Sequence, residues 1–460
     1  MDGPFLHKIR TIHFVGIGGI GMSGIAEVLI NMGFRISGSD IKRTETTERL
    51  ERLGAKVYYG HREENVLGAD VLVVSSAIRK DNPELIKAKE LSIPVIPRAE
   101  MLAELMRLKF SIAVAGAHGK TTTTSLIASV LASAGLDPTY VVGGKLKSIG
   151  TNARLGSSRF LVAEADESDG TFLLLSPTFA VVTNLDREHL DFYRDLSEIK
   201  DVFLRFLNSV PFYGVDILCG DDENLRDLIP HLKRRYITYG LSEHVQFKAE
   251  AIRNMGRRTV FTLVREGERL GDITLSLPGI HNVVNALAAC ACAYELMVPF
   301  ERLKEALEEF SGIQRRLEVK LEGPVTIIDD YAHHPTEIRA TLKTIRELFH
   351  GRMTVIFQPH RYTRTKALMD DFALAFEEAD LVIVTEVYPA SEERIEGVDG
   401  ATLSEKIRRL GSKEVEFVPS LHAVVERLIG ELKEGDIVCT LGAGDIYKVA
   451  ERLREIWGSL

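Results

Sequence analysis

Two glycine-rich turns, each set between an apolar run and a helical stretch, constrain this chain more than any other feature. The first, His13-Phe14-Val15-Gly16-Ile17-Gly18-Gly19-Ile20-Gly21, satisfies G-x-G-x-x-G through Gly16, Gly18 and Gly21. It follows the predicted strand Thr11–Val15 and precedes the predicted helix Met22–Asn31, which is the context the motif requires. Glycines there let backbone approach a diphosphate, and a helix N-terminus adds partial positive charge. Asp40 ends the next strand, where an acid can hold a ribose hydroxyl. A dinucleotide and a nucleotide-sugar diphosphate both fit, and close helix–strand packing alone would also favour the glycines.

The second turn, Ala113-Val114-Ala115-Gly116-Ala117-His118-Gly119-Lys120-Thr121-Thr122, follows the predicted strand Phe110–Ala115. It resembles a P-loop, except that Val114 stands where the general pattern has its first glycine. The chemistry survives the change. Backbone N–H groups cradle phosphates, Lys120 reaches β/γ oxygens, and the Thr121 hydroxyl can ligate Mg²⁺. A chance Gly-Lys-Thr at a helix start is the bland alternative, and the preceding strand favours an ATP site.

The rest of the chain sets bounds around these turns. Its 460 residues suggest about three domains. Lys+Arg 57 against Asp+Glu 66 leaves a net charge of −9, which argues against a general nucleic-acid surface. Cys219, Cys290, Cys292 and Cys439 form no C-x-x-C pair and read as buried free thiols. The early acid in Met1-Asp2-Gly3-Pro4 argues against a signal peptide. The uncharged run Ile273 to Tyr294 contains Pro278, Gly279, His281, Asn282 and Asn285, so it reads as a strand, a turn and a buried helix rather than a membrane span. A cytoplasmic protein without membrane insertion is expected. Oligomeric state is not readable from the sequence.

Strand–helix alternation runs almost throughout, the pattern of parallel sheets covered on both faces. Expected blocks are residues 1–108, 109–312 and 313–460. The first has further strands at Phe34–Gly38, Val71–Val74 and Ile93–Ile96, and a closing helix Glu100–Leu108. In the second, Gln246–Ala251, Arg258–Arg265 and Asp272–Ser276 suggest an antiparallel hairpin layer. The third has strands at Val325–Ile328, Thr354–Phe357, Leu381–Val384 and Asp436–Cys439.

Polar clusters sit at the C-terminal ends of these strands, where open α/β sheets place their ligands. Glu164-Ala165-Asp166-Glu167-Ser168-Asp169 offers hard oxygen ligands suited to Mg²⁺. In Thr183-Asn184-Leu185-Asp186-Arg187-Glu188-His189, His189 is either a metal ligand or a capping histidine. Asp329-Asp330-Tyr331-Ala332-His333-His334-Pro335 and Phe357-Gln358-Pro359-His360-Arg361-Tyr362-Thr363-Arg364 follow in the third block. Arg315 and Arg316, at a block junction, are either a surface pair or a clamp that engages phosphate when domains close.

Taken together with His281-Asn282-x-x-Asn285, these motifs resemble the Mur ligase family of peptidoglycan synthesis over essentially the whole chain. The family's shorter Gly-x-x-Gly-Lys-Thr loop accounts for Val114. The resemblance implies an α/β protein of three domains: a Rossmann-like N-terminal domain binding the UDP substrate, a P-loop-type central ATPase domain with a mixed sheet, and a Rossmann-like C-terminal domain binding the amino acid. The implied reaction joins L-alanine to the lactyl carboxylate of UDP-N-acetylmuramate through an acyl phosphate, with ATP and two Mg²⁺.

By resemblance, Gly18, Gly19, Gly21, Ser39, Asp40, Ser75, Ser76, Arg98, Thr151, Asn152 and Ser168 would serve the UDP substrate. Gly116 to Thr122, His281, Asn282, Asn285, Arg316 and Asp330 would serve ATP, with Ala117, His118 and Gly119 forming the loop itself. Thr121, Glu164 and His189 would hold metal, and Lys120, Glu164, His189, Arg316 and His333 would act in catalysis. His333, His360, Arg361 and Arg364 would surround the amino acid, and Arg can grip a carboxylate in a two-point fork. Several family members carry a carbamylated lysine after the histidine segment. Leu204 occupies the aligned position and Lys200 is out of register, so none is expected here. A recycling ligase with a peptide acceptor, an NAD-dependent dehydrogenase and a non-catalytic nucleotide-binding scaffold are the alternatives. The dehydrogenase explains only the first glycine turn.

Overall fold

The computed structural model describes residues 9–75, 77–147, 151–189, 192–390, 392–411 and 414–458. Three sheets succeed one another along the chain. The first has five parallel strands in the spatial order Lys56–Tyr59, Arg35–Asp40, Thr11–Val15, Val71–Val74, Val95–Pro97. The strand carrying the first glycine turn is central, and its helix Ile20–Asn31 starts directly after Gly19. The helix expected at Glu100 begins earlier, spanning Arg98–Arg107, which puts Arg98 in its first turn.

The second sheet has ten strands. Its centre is parallel, in the order Tyr236–Gly240, Val215–Cys219, Phe179–Val182, Phe110–Ala115, Phe160–Glu164, Thr139–Val141. The expected hairpin layer exists as Phe247–Met255, Arg258–Arg265 and Glu268–Leu275, paired antiparallel. It is an extension of the main sheet rather than a separate layer, because Phe247 and Lys248 pair parallel with Tyr239 and Gly240. The third sheet runs Glu318–Leu321, Thr326–Asp330, Ile437–Leu441, Met353–Phe357, Leu381–Val384, Glu414–Phe417, parallel except for its first strand.

Central strands such as Phe110–Ala115 and Met353–Phe357 are almost wholly buried and apolar apart from Ser111 and Thr354, because helices cover both faces. Strands without an apolar run, such as Lys56–Tyr59 and Glu414–Phe417, lie at sheet edges and half exposed. The uncharged run at 273–294 resolves into the end of a strand, a turn and the helix Ile280–Glu295, in which Cys290 and Cys292 are buried with free thiols. Among the described residues, no helix is long and apolar enough to cross a membrane.

The apolar core is continuous from the first sheet into the second, joining Ile12, Phe14 and Ile25 to Val114, Leu126 and Val141. The third sheet has its own clusters, one on each face. Polar side chains join it to the second domain, at the C-terminal strand ends through Thr336–Asp186 and Arg364–Glu188 and at the hairpin through Arg257–Glu322 and Asn254–Glu347.

Candidate active site

The second glycine turn opens the helix Lys120–Ser133, whose N-cap is Gly119 at φ +82 with no side chain capping it. A Cβ at Gly119 would fall 2.5 Å from Asn285 Oδ1, so glycine is required by both its backbone conformation and its neighbour. The uncapped helix start leaves N–H groups directed at an anion. Lys120 Nζ is held by the carbonyls of Gly116 and Ala117 at 2.5 and 3.1 Å, and by Glu167 Oε1 at 2.8 Å. Burial opposes its charge, yet Glu167 and Glu188 keep the ammonium protonated.

A cleft of about 430 Å³ continues from this turn. His118, Gly119, Thr122, His281, Asn282, Asn285, Arg316 and Asp330 line it. Thr123 Oγ1 donates to Asn285 Oδ1 at 3.3 Å, joining the loop helix to the helix of His281. Burial and Arg316 push His281 down to about 4, so it is neutral. Asp330 is raised to about 6 by burial, although it accepts N–H bonds from Leu317 and Ala332 at 2.6 and 2.7 Å.

The adjacent arginines do not form a surface pair, and their surroundings differ. Arg315 is structural: its guanidinium donates to Asp329 and to the carbonyls of Gly442 and Gly444. Arg316 faces the cleft, 3.6 Å from Glu337.

The expected metal ligands fall into two groups. Glu164 lies by Thr121 and accepts the Gly143 N–H at 2.6 Å. His189 Nε2 instead lies 3.6 Å from Glu167 and 3.7 Å from Glu188. Glu167 Oε2 and Glu188 Oε1 are buried without a hydrogen-bond partner. Such orphaned carboxylate oxygens are costly unless a cation meets them, and hard oxygens suit Mg²⁺. His189 holds a strained φ of +55, as Arg361 does at +70, and strain of this kind collects at functional sites. Lys200 pairs with Asp227 at 2.7 Å and belongs to neither group.

A second cavity of about 480 Å³ opens beside His189, lined by Arg187, Glu188, Arg361, Thr363, Arg364 and Leu368 among others. Glu188 is held down at about 2 despite burial, by His118 and Arg364. Arg364 donates to His360 Nδ1 at 3.3 Å and stands 3.8 Å from Glu188. His360 stacks on Tyr388, and His333 meets His360 edge-on at 5.9 Å. All four residues expected around an amino acid are thus gathered at this corner.

The first glycine turn lies across the seam. Gly18 N–H donates to Asp40 Oδ2 at 2.9 Å, so Asp40 braces the turn itself. Arg98 approaches Gly21 so closely that a Cβ there would lie 2.7 Å from its Nη1, and Arg98 pairs with Asp166 at 2.7 Å. Ser168 N–H in turn donates to Asp166 at 3.1 Å. Ser75 packs under Gly16. Ser39 departs from expectation: it is fully buried, its hydroxyl donating to Glu84 at 2.6 Å, while its carbonyl receives the Gly16 and Ile17 N–H groups. Thr151 and Asn152 are likewise buried, with Asn152 donating to the Ile20 carbonyl at 2.6 Å. Their side chains secure the seam. Ser76 lies outside the described residues.

Sequence reasoning missed Glu188, Asp186, His334 and Glu337 as individual participants. Asp186 Oδ2 accepts from His118 Nε2 and Thr336 Oγ1, each at 2.9 Å, and His334 lies 3.6 Å away. With its donors already in place, this cluster reads as an ion pair of the middle domain to which Thr336 and His334 of the third domain attach, rather than a metal centre. The signal for it was weak, because only folding brings residues 118, 186 and 334 together.

Three consecutive domains of known type match the chain: Mur ligase family, catalytic domain, at residues 11–110; Mur ligase middle domain at 114–293; and Mur ligase, glutamate ligase domain at 315–444. A UDP-N-acetylmuramate–L-alanine ligase of Geotalea uraniireducens is 56% identical over 449 residues, covering 97% of this chain and 98% of that protein. Another, from Desulfatibacillum aliphaticivorans, is 56% identical over 446 residues, covering 96% and 98%. The crystal structure of UDP-N-acetylmuramate-alanine ligase MurC from Thermotoga maritima superposes with a TM-score of 0.84 at 32% identity, covering 98% of this chain and 99% of that one. A murein peptide ligase from Psychrobacter arcticus shares the fold, with a TM-score of 0.73 at 24% identity over 98% and 99% of the two chains. With three sheets in this order, a glycine turn in each of the first two and matches along nearly its full length, the chain belongs to the Mur ligase family.

Proposed function

We propose that this chain is an ATP-dependent ligase that joins L-alanine to the lactyl carboxylate of UDP-N-acetylmuramate, releasing ADP and phosphate. The reading is carried by one observation: the phosphate-binding loop and the cationic cavity share the buried Glu167–Glu188–His189 cluster. A phosphoryl donor and an amino acid held on either side of that cluster meet at one point. The similarity to full-length alanine-adding ligases supports the acceptor.

A free carboxylate is a poor acyl donor, so the substrate carboxylate first attacks the γ-phosphate. The helix start at Gly119, Lys120 and Arg316 hold the triphosphate and offset the charge that spreads over the transferred group. His281, Asn282 and Asn285 border the adenine end, and Asp330 the ribose. Thr121 with Glu164, and Glu167, Glu188 with His189, would hold two Mg²⁺, which supply further charge compensation at the phosphates. Arg361 and Arg364 grip the alanine carboxylate, leaving its nitrogen towards the acyl carbon. The glycine turn at Gly16–Gly21, closed by Arg98 against Asp166, takes the UDP diphosphate.

The test is phosphate release from ATP with UDP-N-acetylmuramate, with and without L-alanine, and mass analysis of the product. Release that requires both substrates, with formation of the alanyl amide, is expected. Turnover with a tripeptide but not with L-alanine would replace this reading with a recycling ligase.

A further inference from the structure

Glu337 occupies the first turn of the helix Pro335–Leu348, next to the nucleotide cleft, with its side chain largely buried. Its two oxygens face different chemistry. Oε2 accepts the His333 backbone N–H at 3.1 Å and lies 3.3 Å from His333 Nδ1. Oε1 lies 3.5 Å from His118 Nδ1 and 3.6 Å from Arg316 Nη1. One carboxylate therefore touches the phosphate loop, the cleft arginine and a histidine at the amino-acid corner.

The His333 environment determines its tautomer. Nδ1 lies 3.0 Å from the Tyr331 carbonyl oxygen as well as near Glu337, and both partners only accept. The ring hydrogen must therefore sit on Nδ1, leaving the lone pair on Nε2. The same arrangement, an acid behind an imidazole, orients the base in hydrolytic triads. The ring stands edge-on to His360, which receives the Arg364 guanidinium at the cationic cavity.

We propose that Glu337 is a positioning residue for the alanine step: it holds His333 with Nδ1–H inward and Nε2 as proton acceptor, and ties that arrangement to Arg316 and His118 across the nucleotide cleft. The proposal rests on the ligase reading above. Alanine arrives as an ammonium ion. His333 Nε2 takes one proton, and the freed nitrogen lone pair forms the N–C bond to the acyl carbon. The C–O bond to phosphate then breaks, phosphate leaving with the electron pair and with the second nitrogen proton as hydrogen phosphate. Burial depresses His333 to about 4, opposed by Glu337 and reinforced by Arg364. The bound alanine carboxylate neutralises that arginine and so strengthens the base.

Hydroxylamine separates this role from a merely structural one. It is a neutral nucleophile near pH 7.5 and intercepts an acyl phosphate as the hydroxamate without needing a base. Wild type, Glu337→Gln and His333→Gln would be assayed with ATP, UDP-N-acetylmuramate and either L-alanine or hydroxylamine. Both variants are expected to lose about a hundredfold in alanine-dependent phosphate release while keeping hydroxamate formation within about fivefold. The double variant should lose no more than either single one, as residues acting as a unit do. Retained hydroxamate formation also shows that the variants fold. Near wild-type alanine turnover in Glu337→Gln, an equal loss of both products, or additive losses in the double variant would overturn the proposal. No alanine-dependent release in wild type would instead overturn the ligase reading.

Discussion

The two seams between domains are built from opposite materials. Between the first and second sheets the core runs unbroken, and Gly24 packs so tightly that a Cβ there would lie 3.1 Å from Ala153 and 3.3 Å from Val141. Between the second and third sheets the contacts at the cleft are His118–Glu337, Thr336–Asp186, His334–Asp186 and Arg364–Glu188. An apolar, close-packed seam resists opening because every atom loses contacts when it parts. A polar seam can exchange its ion pairs for water or for a substrate's phosphates. This difference predicts that the first two domains move as one and that the third responds to charge at its seam, and substitutions should separate along that line.

The largest effect is expected at the phosphate loop, beside the polar seam. Lys120→Ala should lower ATP-derived phosphate release by about a thousandfold, since the cation that meets the β/γ oxygens is gone. Near wild-type turnover would remove the loop from the mechanism. In the apolar seam, Gly24→Val should cost about 2–4 kcal/mol of stability in denaturant titration, because the neighbours are side chains already in contact. An unchanged midpoint would show that this seam is no more rigid than the other.

Asp186→Asn should appear mainly in nucleotide affinity, raising KM for ATP about tenfold, or about 1.4 kcal/mol, as His118 and Thr336 lose their anionic partner. A larger effect on global unfolding than on KM would contradict the division. The smallest effect is expected from pH. Burial opposes a charged His118, but Asp186 and Glu337 raise it from 6.5 to about 10. The imidazolium contact is thus fully present below pH 6.5 and is lost as pH rises through about 10. Small-angle scattering without nucleotide should show the third domain loosening over that window while the first two stay together.

Much of this was legible before folding. The strands Thr11–Val15, Val71–Val74, Phe110–Ala115, Arg258–Arg265 and Leu381–Val384 have the bounds their apolar or alternating patterns indicate. Short half-exposed strands such as Lys56–Tyr59 carried no such pattern. Both glycine turns and the arginines at 361 and 364 were readable because their chemistry is local: a loop followed by a helix start, and two cations one turn apart. Ser39 misled for a matching reason. It sits next to Asp40 in sequence, but alternation along the strand turns its hydroxyl inward to Glu84.

By itself the sequence determined three α/β blocks, two glycine turns at helix starts and a surplus of acids at strand ends, because apolar periodicity and glycine placement act over a few residues. Only the tertiary structure decided how those acids divide. Glu164 goes to Thr121, whereas Glu167 and Glu188 go to His189. It likewise decided that Arg316 rather than Arg315 faces the cleft, and that Glu337 joins His118, Arg316 and His333. Charge pairing is set by distances of 3–4 Å between groups far apart in the chain, and only the packing of one sheet against another fixes those distances.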